Sequence, residues 1–258
     1  MVGRHDGKVA VVTGGANGIG RGCVERLAAD GASVIIADID MDEARAVEAR
    51  CGAKVAAVEC DVRDEAQCDA ATAEAVRRFG RLDFMVNNAG YIIYSPVVET
   101  DADDWRRLLD VNITGIFLSM KAGAKRLIEQ GEGGVIINAS SGGGRHGVPN
   151  FSAYCSSKAA IIMMSQAASG ELAEHRIRVN CYTPGHVETP MMFGLLDTIA
   201  EKQGMTRDEA YDMLQNTVPW GRWGQPSDVA SAVSWLCSDD AEYITGQCIG
   251  MNGGELPW

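Results

Sequence analysis

Long apolar runs are missing from this chain. No stretch of roughly eighteen apolar residues occurs among its 258 positions, so no segment reads as a membrane-spanning helix. No charged-plus-apolar leader stands at the start. The expectation is a soluble, cytoplasmic protein with no membrane role. Basic charge is also scarce: 23 Lys and Arg stand against 35 Asp and Glu, a formal charge of −12. A nucleic-acid partner needs a basic face, so none is expected. Docking to an acidic carrier protein or an anionic membrane is disfavoured for the same reason. No C-x-x-C pair occurs. The eight cysteines (Cys23, Cys51, Cys60, Cys68, Cys155, Cys181, Cys237 and Cys248) follow no pairing rhythm and read as reduced thiols, several of them core fillers. The four histidines do not cluster with Cys or Asp at ligand spacing, so no metal is expected. Repeats, low-complexity tracts and linkers are absent too.

What is present alternates between short β-branched runs and helical stretches. Lys8 to Thr13 is a compact apolar strand. It runs into Gly14-Gly15-Ala16-Asn17-Gly18-Ile19-Gly20, and then into a helix with Cys23, Val24, Leu27 and Ala28 on one face. Strand, glycine turn and helix start in succession are the context that gives such a motif meaning. Glycines let a backbone pass close to a pyrophosphate, and the helix N-terminus supplies N–H donors and a partial positive charge. A tight structural turn is the bland alternative. The next strand, Ser33 to Ala37, ends at Asp38, 18 residues after Gly20. A carboxylate there accepts hydrogen bonds from ribose hydroxyls and repels a 2′-phosphate. Asn17 is uncharged and no basic residue follows Asp38 until Arg45, so NAD is favoured over NADP.

A helix from about Met41 to Arg50 and a strand from Lys54 to Glu59 lead to Asp61 and Val62. Asp61 can lie near an adenine ring or cap the helix that begins near Asp64. After the strand Leu82 to Val86 come Asn87-Asn88-Ala89-Gly90, small and amide side chains suited to close cofactor approach or to bracing the backbone. Asp101 to Gln130 is long and helical, but Asn112 followed by Gly115 interrupts it. That reads as a functional kink or as a buried amide bridging two backbones.

The stretch Ser140 to Lys158 carries the chemistry. It follows an interior strand, Val135 to Ala139, and becomes helical from about Ala153. Tyr154 and Lys158 lie one turn apart on one face. A free phenol has a pKa of about 10 and is a poor base near neutrality. An ammonium about 4 Å away favours the phenolate by roughly 4 kcal/mol at an effective dielectric near 20. That is about three pKa units, which would let Tyr154 titrate near 7 as a general acid/base. Ser140 or Ser141 can hydrogen-bond a substrate oxygen beside it. A solvent-facing Tyr and Lys is the alternative.

A strand from Ile177 to Tyr182 leads into Thr183 to Pro190. Met191 to Trp223 carries one or two helices with a greasy face, which suits a substrate lid over about 186–223. A helix from Ser227 to Cys237 and a strand from Gln247 to Met251 close the chain. Alternation throughout predicts an α/β, doubly wound parallel sheet of about seven strands with helices on both faces, one domain over 1–258.

Taken in order, Thr13-Gly14-x-x-x-Gly18-x-Gly20, Asn87-Asn88-Ala89-Gly90, Asn112, Ser141, Tyr154-x-x-x-Lys158 and Pro184-Gly185 resemble the short-chain dehydrogenase/reductase family over about residues 7–254. The resemblance implies a Rossmann-like fold, a nicotinamide cofactor and an Asn112-Ser141-Tyr154-Lys158 tetrad. In that scheme Tyr154 is the acid/base and Ser141 holds the substrate oxygen. Lys158 lowers the tyrosine pKa and binds the nicotinamide ribose, and Asn112 holds a relay water. It also implies cofactor contacts from Gly14, Asn17, Gly18, Ile19, Gly20, Asp38, Ile39, Asp61, Val62, Asn88, Ala89, Gly90, Pro184 and Gly185. Val187 and Thr189 would meet the carboxamide end. A homodimer or homotetramer packed on the two long helices is implied as well.

For the substrate, His146, Asn150, His186 and Met191 are candidates that can hold a second hydroxyl; the two histidines can equally be ordinary loop residues. The chain is similar to polyol and sugar-alcohol dehydrogenases, which interconvert a secondary alcohol and a ketone. It overlaps with hydroxysteroid and dihydrodiol dehydrogenases. A 3-oxoacyl-carrier-protein reductase is the same-fold rival, and a non-catalytic NAD-sensing protein is the rival of another class. The apolar tip Leu256-Pro257-Trp258 either tucks into a neighbouring subunit or frays.

Overall fold

In the computed structural model, which describes residues 3–256, strands and helices follow one another as β1 (Val9–Thr13), α1 (Gly18–Ala29), β2 (Ser33–Asp38), α2 (Met41–Cys51), β3 (Val55–Glu59), α3 (Glu65–Phe79), β4 (Phe84–Asn87), α4 (Ala102–Leu109), α5 (Gly115–Gln130), β5 (Gly134–Ala139), α6 (Ser152–Glu171), β6 (Ile177–Pro184), α7 (Pro190–Gln203), α8 (Arg207–Gln215), α9 (Pro226–Cys237) and β7 (Cys248–Met251). The seven strands form one sheet in the order β3-β2-β1-β4-β5-β6-β7, and every pairing is parallel. This is a Rossmann-like, doubly wound sheet. Strand order reverses between β1 and β4, which opens a crevice at the carboxyl ends of those strands.

The strands read as continuous apolar runs because both faces are covered. Ala10 and Val12 of β1 point into one core layer with Val24, Leu27, Val229 and Val233 of α1 and α9. Val9 and Val11 point the other way, toward Ala71, Ala75, Leu127 and Ala168 of α3, α5 and α6. A third apolar group, Leu195, Leu196, Ile199, Ala210, Val218 and Trp223, ties α7 to α8. Ile92, Tyr94 and Phe151 pack against it, so this pair of helices lies on the loops that follow β4 and β5.

The expected kink at Asn112 is a turn of π-helix, Asp110–Thr114, between α4 and α5. The Gly115 N–H reaches back five residues to the Asp110 carbonyl. Gly115 itself sits where any Cβ would meet Val62 Cγ2 at 2.5 Å, so the long helix passes close under the end of β3. Asp64, not Asp61, caps α3, its carboxylate accepting from the Ala66 and Gln67 amides. Among the described residues all eight cysteines are free, and no helix is long and apolar enough to cross a membrane.

At the far end of the sheet, His5 is buried against Phe84. Its Nε2 lies 3.0 Å from Ser234 Oγ, and that hydroxyl donates to Asp30 Oδ2 at 2.5 Å. Burial holds the imidazole below its ordinary 6.5, outweighing the attraction of the Asp30 carboxylate. The folded ring therefore resists a proton that the unfolded chain accepts, so stability falls as pH drops below about 6.5. Melting temperature is expected to fall more steeply from about pH 7.5 to about pH 5.5 in the parent than in His5→Gln. Parallel curves would place the acid sensitivity elsewhere.

Candidate active site

The crevice at the strand ends is a cleft of ≈ 490 Å³. One end is built on the turn between β1 and α1. Asn17, the N-cap of α1, is extended, makes no side-chain cap, and no acidic residue occupies the first turn. The first amides of α1 are thus left for an anion. Gly14 stands at φ +62°, and a Cβ there would lie 2.9 Å from the Ala89 Cα. A Cβ at Gly20 would fall 1.9 Å from the Gly14 carbonyl oxygen. Side chains at either position would fill the cradle. Thr13 Oγ1 accepts from the Asn88 and Ala89 amides, Asn88 Nδ2 donates to the Gly14 carbonyl, and Tyr182 Oη donates to Asn88 Oδ1 at 2.9 Å. These bonds lock the glycine turn to the end of β4.

Asp38 ends β2 in the cleft wall, its two oxygens accepting from the Ala16 and Asp40 amides. Ile39 beside it is 71% exposed yet borders the cleft. Asp61 borders it too, paired with Arg63 in a two-pronged contact. That guanidinium holds the Asp61 carboxyl below its ordinary range.

The other end carries Tyr154 and Lys158, both on the cleft wall. Lys158 Nζ donates to the Ala139 carbonyl at 2.9 Å and stands 5.6 Å from the centroid of the Tyr154 ring. Ser141 hydrogen-bonds the phenol, which favours its ionised form, but burial is the larger effect and pushes the phenol up. Burial also brings Lys158 down, to about 8. The drop toward neutrality that helical spacing alone suggested is opposed by burial, which shifts the phenol the other way. The lysine is drawn to a carbonyl, and desolvation disfavours the charged form of both groups.

Asn112 stands just behind this pair. Its Oδ1 accepts from the Tyr91 amide at 3.0 Å, and its Nδ2 donates to the Tyr91 carbonyl at 2.9 Å and to Ser157 Oγ at 3.1 Å. Ser157 in turn donates to the Tyr154 carbonyl. The side-chain amide is thus a brace between α6 and the loop after β4.

A family model described as enoyl-(acyl carrier protein) reductase matches residues 14–255. The sorbitol dehydrogenase of Cereibacter sphaeroides is 38% identical over 251 residues, 97% of this chain and 98% of that protein. The 2,5-dichloro-2,5-cyclohexadiene-1,4-diol dehydrogenase of Sphingobium indicum is 38% identical over 250 residues, 96% of each. Among solved structures, the 3-ketoacyl-(acyl-carrier-protein) reductase from Brucella melitensis complexed with NADH has a TM-score of 0.86 at 32% identity, over 98% of this chain and 99% of that one. The chain belongs to the short-chain dehydrogenase/reductase family.

Short-chain dehydrogenases are oxidoreductases that use a nicotinamide cofactor, and the cradle fits one: the glycine bend and uncapped helix suit a pyrophosphate. Of the residues singled out in the sequence, Asn17, Gly18, Ile19, Val62, Gly90, Pro184, Thr189 and Met191 also border the cleft. Others do not. Val187 is buried in the core layer beside α9 and bridges to Gly224, because the chain turns inward there to carry Thr189, which caps α7. Gly185 faces Asn252 and Glu255. Asn150, at φ 69°, spends its amide on Tyr94 Oη at 3.0 Å. His186 stacks on Trp223, and His146 lies outside the cleft lining. Ser140, one of the two serines offered for the substrate oxygen, spends its Oγ on the Lys158 carbonyl, whereas Tyr182 and Ser157 escaped sequence reasoning. Nothing in their spacing distinguishes them from core residues.

Gly14→Ala is expected to weaken NADH binding at least about tenfold, since it adds left-handed strain of roughly 1–2 kcal/mol and a Cβ inside the cradle. Fluorescence titration reads this directly. Unaltered affinity would move the dinucleotide off the glycine bend.

Proposed function

We propose that the protein is an NAD-preferring dehydrogenase that interconverts a polyol, or another secondary alcohol, with its ketone. The observation that carries the reading is Tyr154 with the Lys158 ammonium 5.6 Å from its ring centroid, both on the wall at one end of a cleft whose other end holds Asp38. The name of the sorbitol dehydrogenase relative supports the substrate class. The NADH in the Brucella melitensis complex supports the choice of dinucleotide.

When bound, the nicotinamide accepts or returns a hydride. The chain's part is placement and proton handling. The substrate oxygen lies between Ser141 and Tyr154. Tyr154 takes the hydroxyl proton in oxidation and returns it in reduction. Lys158, drawn by burial to about 8, borders the same cleft. Asn112 fixes Tyr91 and Ser157, so a relay water is left to the backbone of the π-turn and to Lys158. Asp38 accepts from the ribose hydroxyls and repels a 2′-phosphate, and Ile39 covers the adenine side. In this reading residues 1–258 act as one domain with 186–223 as lid. A homodimer or homotetramer is supported by Phe117 and Met163, apolar and exposed on α5 and α6.

The family description and the Brucella melitensis neighbour favour a carrier-protein reductase as second reading; the charge of −12 opposes docking to an acidic carrier. The relative acting on a cyclohexadiene diol keeps cyclic diols in the trial set.

A panel of hexitols, vicinal diols, cyclic diols and 3-oxoacyl thioesters, run with NAD+ and NADP+ in parallel, tests the proposal. Turnover is expected on polyols with NAD+. Binding of NAD without turnover on any member would leave only a sensor. Tyr154→Phe is expected to lower kcat by about 10²–10⁴ with NADH affinity held. Most of the activity surviving would remove Tyr154 from its role. Asp38→Ala is expected to weaken NAD(H) by about tenfold while NADP(H) gains. A constant ratio would overturn the cofactor preference.

A further inference from the structure

Cys181 and Cys248 stand opposite each other on neighbouring parallel strands, as register partners of β6 and β7. Neighbouring strands run about 4.8 Å apart, and register partners point their side chains to the same face. That spacing falls within the range of about 4.4–6.8 Å between Cα atoms that a disulfide spans. The two sulfurs are already in contact, the Cys181 thiol donating a hydrogen bond to the Cys248 sulfur. Both are free thiols. Neither borders the cleft, so the site described above uses neither.

Their surroundings differ. Cys181 is buried, whereas Cys248 is half-buried on β7, the last strand in the sheet order. Arg145, on the loop after Ser141, donates to the Cys248 carbonyl. Its guanidinium also faces the Cys248 sulfur, as does the Thr183 hydroxyl. The hydrogen bond from Cys181, and after it the Arg145 cation, hold the Cys248 thiol below its ordinary value although burial acts the other way. Cys181 is pushed up by the same hydrogen bond and by burial. A reachable, readily ionised thiol beside a cation is the kind that oxidants attack, and a second thiol in contact with it can resolve the product. Of the other cysteines only Cys51 is similarly exposed, and burial raises its thiol instead.

We propose that Cys248 is a hydroperoxide-reactive thiol and Cys181 its resolving partner, which together close a reversible disulfide between β6 and β7. The Cys248 thiolate attacks the terminal oxygen of the hydroperoxide. The O–O bond breaks, Cys248 becomes a sulfenic acid, and the other oxygen leaves with a proton as alcohol or water. The Cys181 sulfur, giving up its proton, then attacks the Cys248 sulfur. An S–S bond forms, the S–O bond breaks and water departs. The two thiols lose two electrons in all, and the peroxide accepts them. A small dithiol reverses the step by exchange.

The test treats the full chain with a few equivalents of hydrogen peroxide near neutral pH, followed by non-reducing peptide mapping. The expected product joins the peptides that carry Cys181 and Cys248, and dithiothreitol restores both thiols. In Cys181→Ala the reaction is expected to stop at the sulfenic acid, which dimedone captures on Cys248. In the untreated parent at neutral pH, iodoacetamide is expected to label Cys248 at least about tenfold faster than Cys51. Absence of the Cys181–Cys248 crosslink, dimedone captured elsewhere, or equal labelling of Cys51 and Cys248 would each overturn the proposal. The crosslink and the labelling rates need no substitution, so they decide the matter if Cys181→Ala fails to fold.

Discussion

Desolvation governs the reactive end of this molecule. α6 carries Lys158 beneath the end of β5, where its ammonium finds the Ala139 carbonyl and, among the described residues, no carboxylate. Tyr154 is buried one turn earlier and is pushed up while the lysine is pushed down. Each shift has the same origin, the cost of a charge in a dry site. Burial therefore favours a neutral phenol beside a readily neutralised amine. Ser141 is the one neighbour that works the other way, through its hydrogen bond to the phenol.

That arrangement requires a rigid floor, and the sheet supplies one through buried amides rather than apolar packing alone. Asn87 donates to Asn138 at 2.7 Å, and Asn138 donates to Ser165 of α6 at 2.9 Å. Above them, Thr13 and Tyr182 grip Asn88 from opposite sides of the glycine turn. An unsatisfied buried amide costs more than a satisfied one contributes, so such a ladder selects a single register. β1, β4, β5 and β6 are thereby held in step at the ends where the cofactor cradle and Tyr154 must face one another.

The architecture was legible because the strands are buried on both faces and so read as unbroken apolar runs, while the helices between them carry stripes. The glycine bend and the Tyr154–Lys158 spacing were legible because each is local: φ, rise and helical turn fix the geometry within a few residues. What the sequence concealed is tertiary. Spacing places Lys158 one turn from Tyr154 but does not say that both are dry, so the direction of the phenol shift was opposite to that inferred. Val187 follows Pro184 and Gly185 in sequence, yet the chain turns it into the core. Asn150 and His186 looked free to meet substrate, and each is held by a residue distant in sequence, Tyr94 and Trp223. Asp61 was open to two roles, and its pairing with Arg63 left the capping of α3 to Asp64.

The tail shows how substrate geometry can be set from outside the cleft. Trp220 donates its amide to the Gly253 carbonyl at 3.0 Å, and a Cβ on Gly253 would meet Val218 at 2.8 Å. Asn252 Nδ2 donates to the Leu256 carbonyl at 2.9 Å, and Leu256 rests on Gly142. The segment that leaves α8 and the loop that carries Ser141 are therefore joined through one short strap of residues 252–256. Neither can shift by more than a fraction of an ångström without breaking a backbone hydrogen bond or opening a gap beside Gly142. The apolar residues of α7 and α8 are packed on one another and on Ile92, Tyr94 and Phe151, so of this helix pair only the first turn, Pro190 and Met191, borders the cleft.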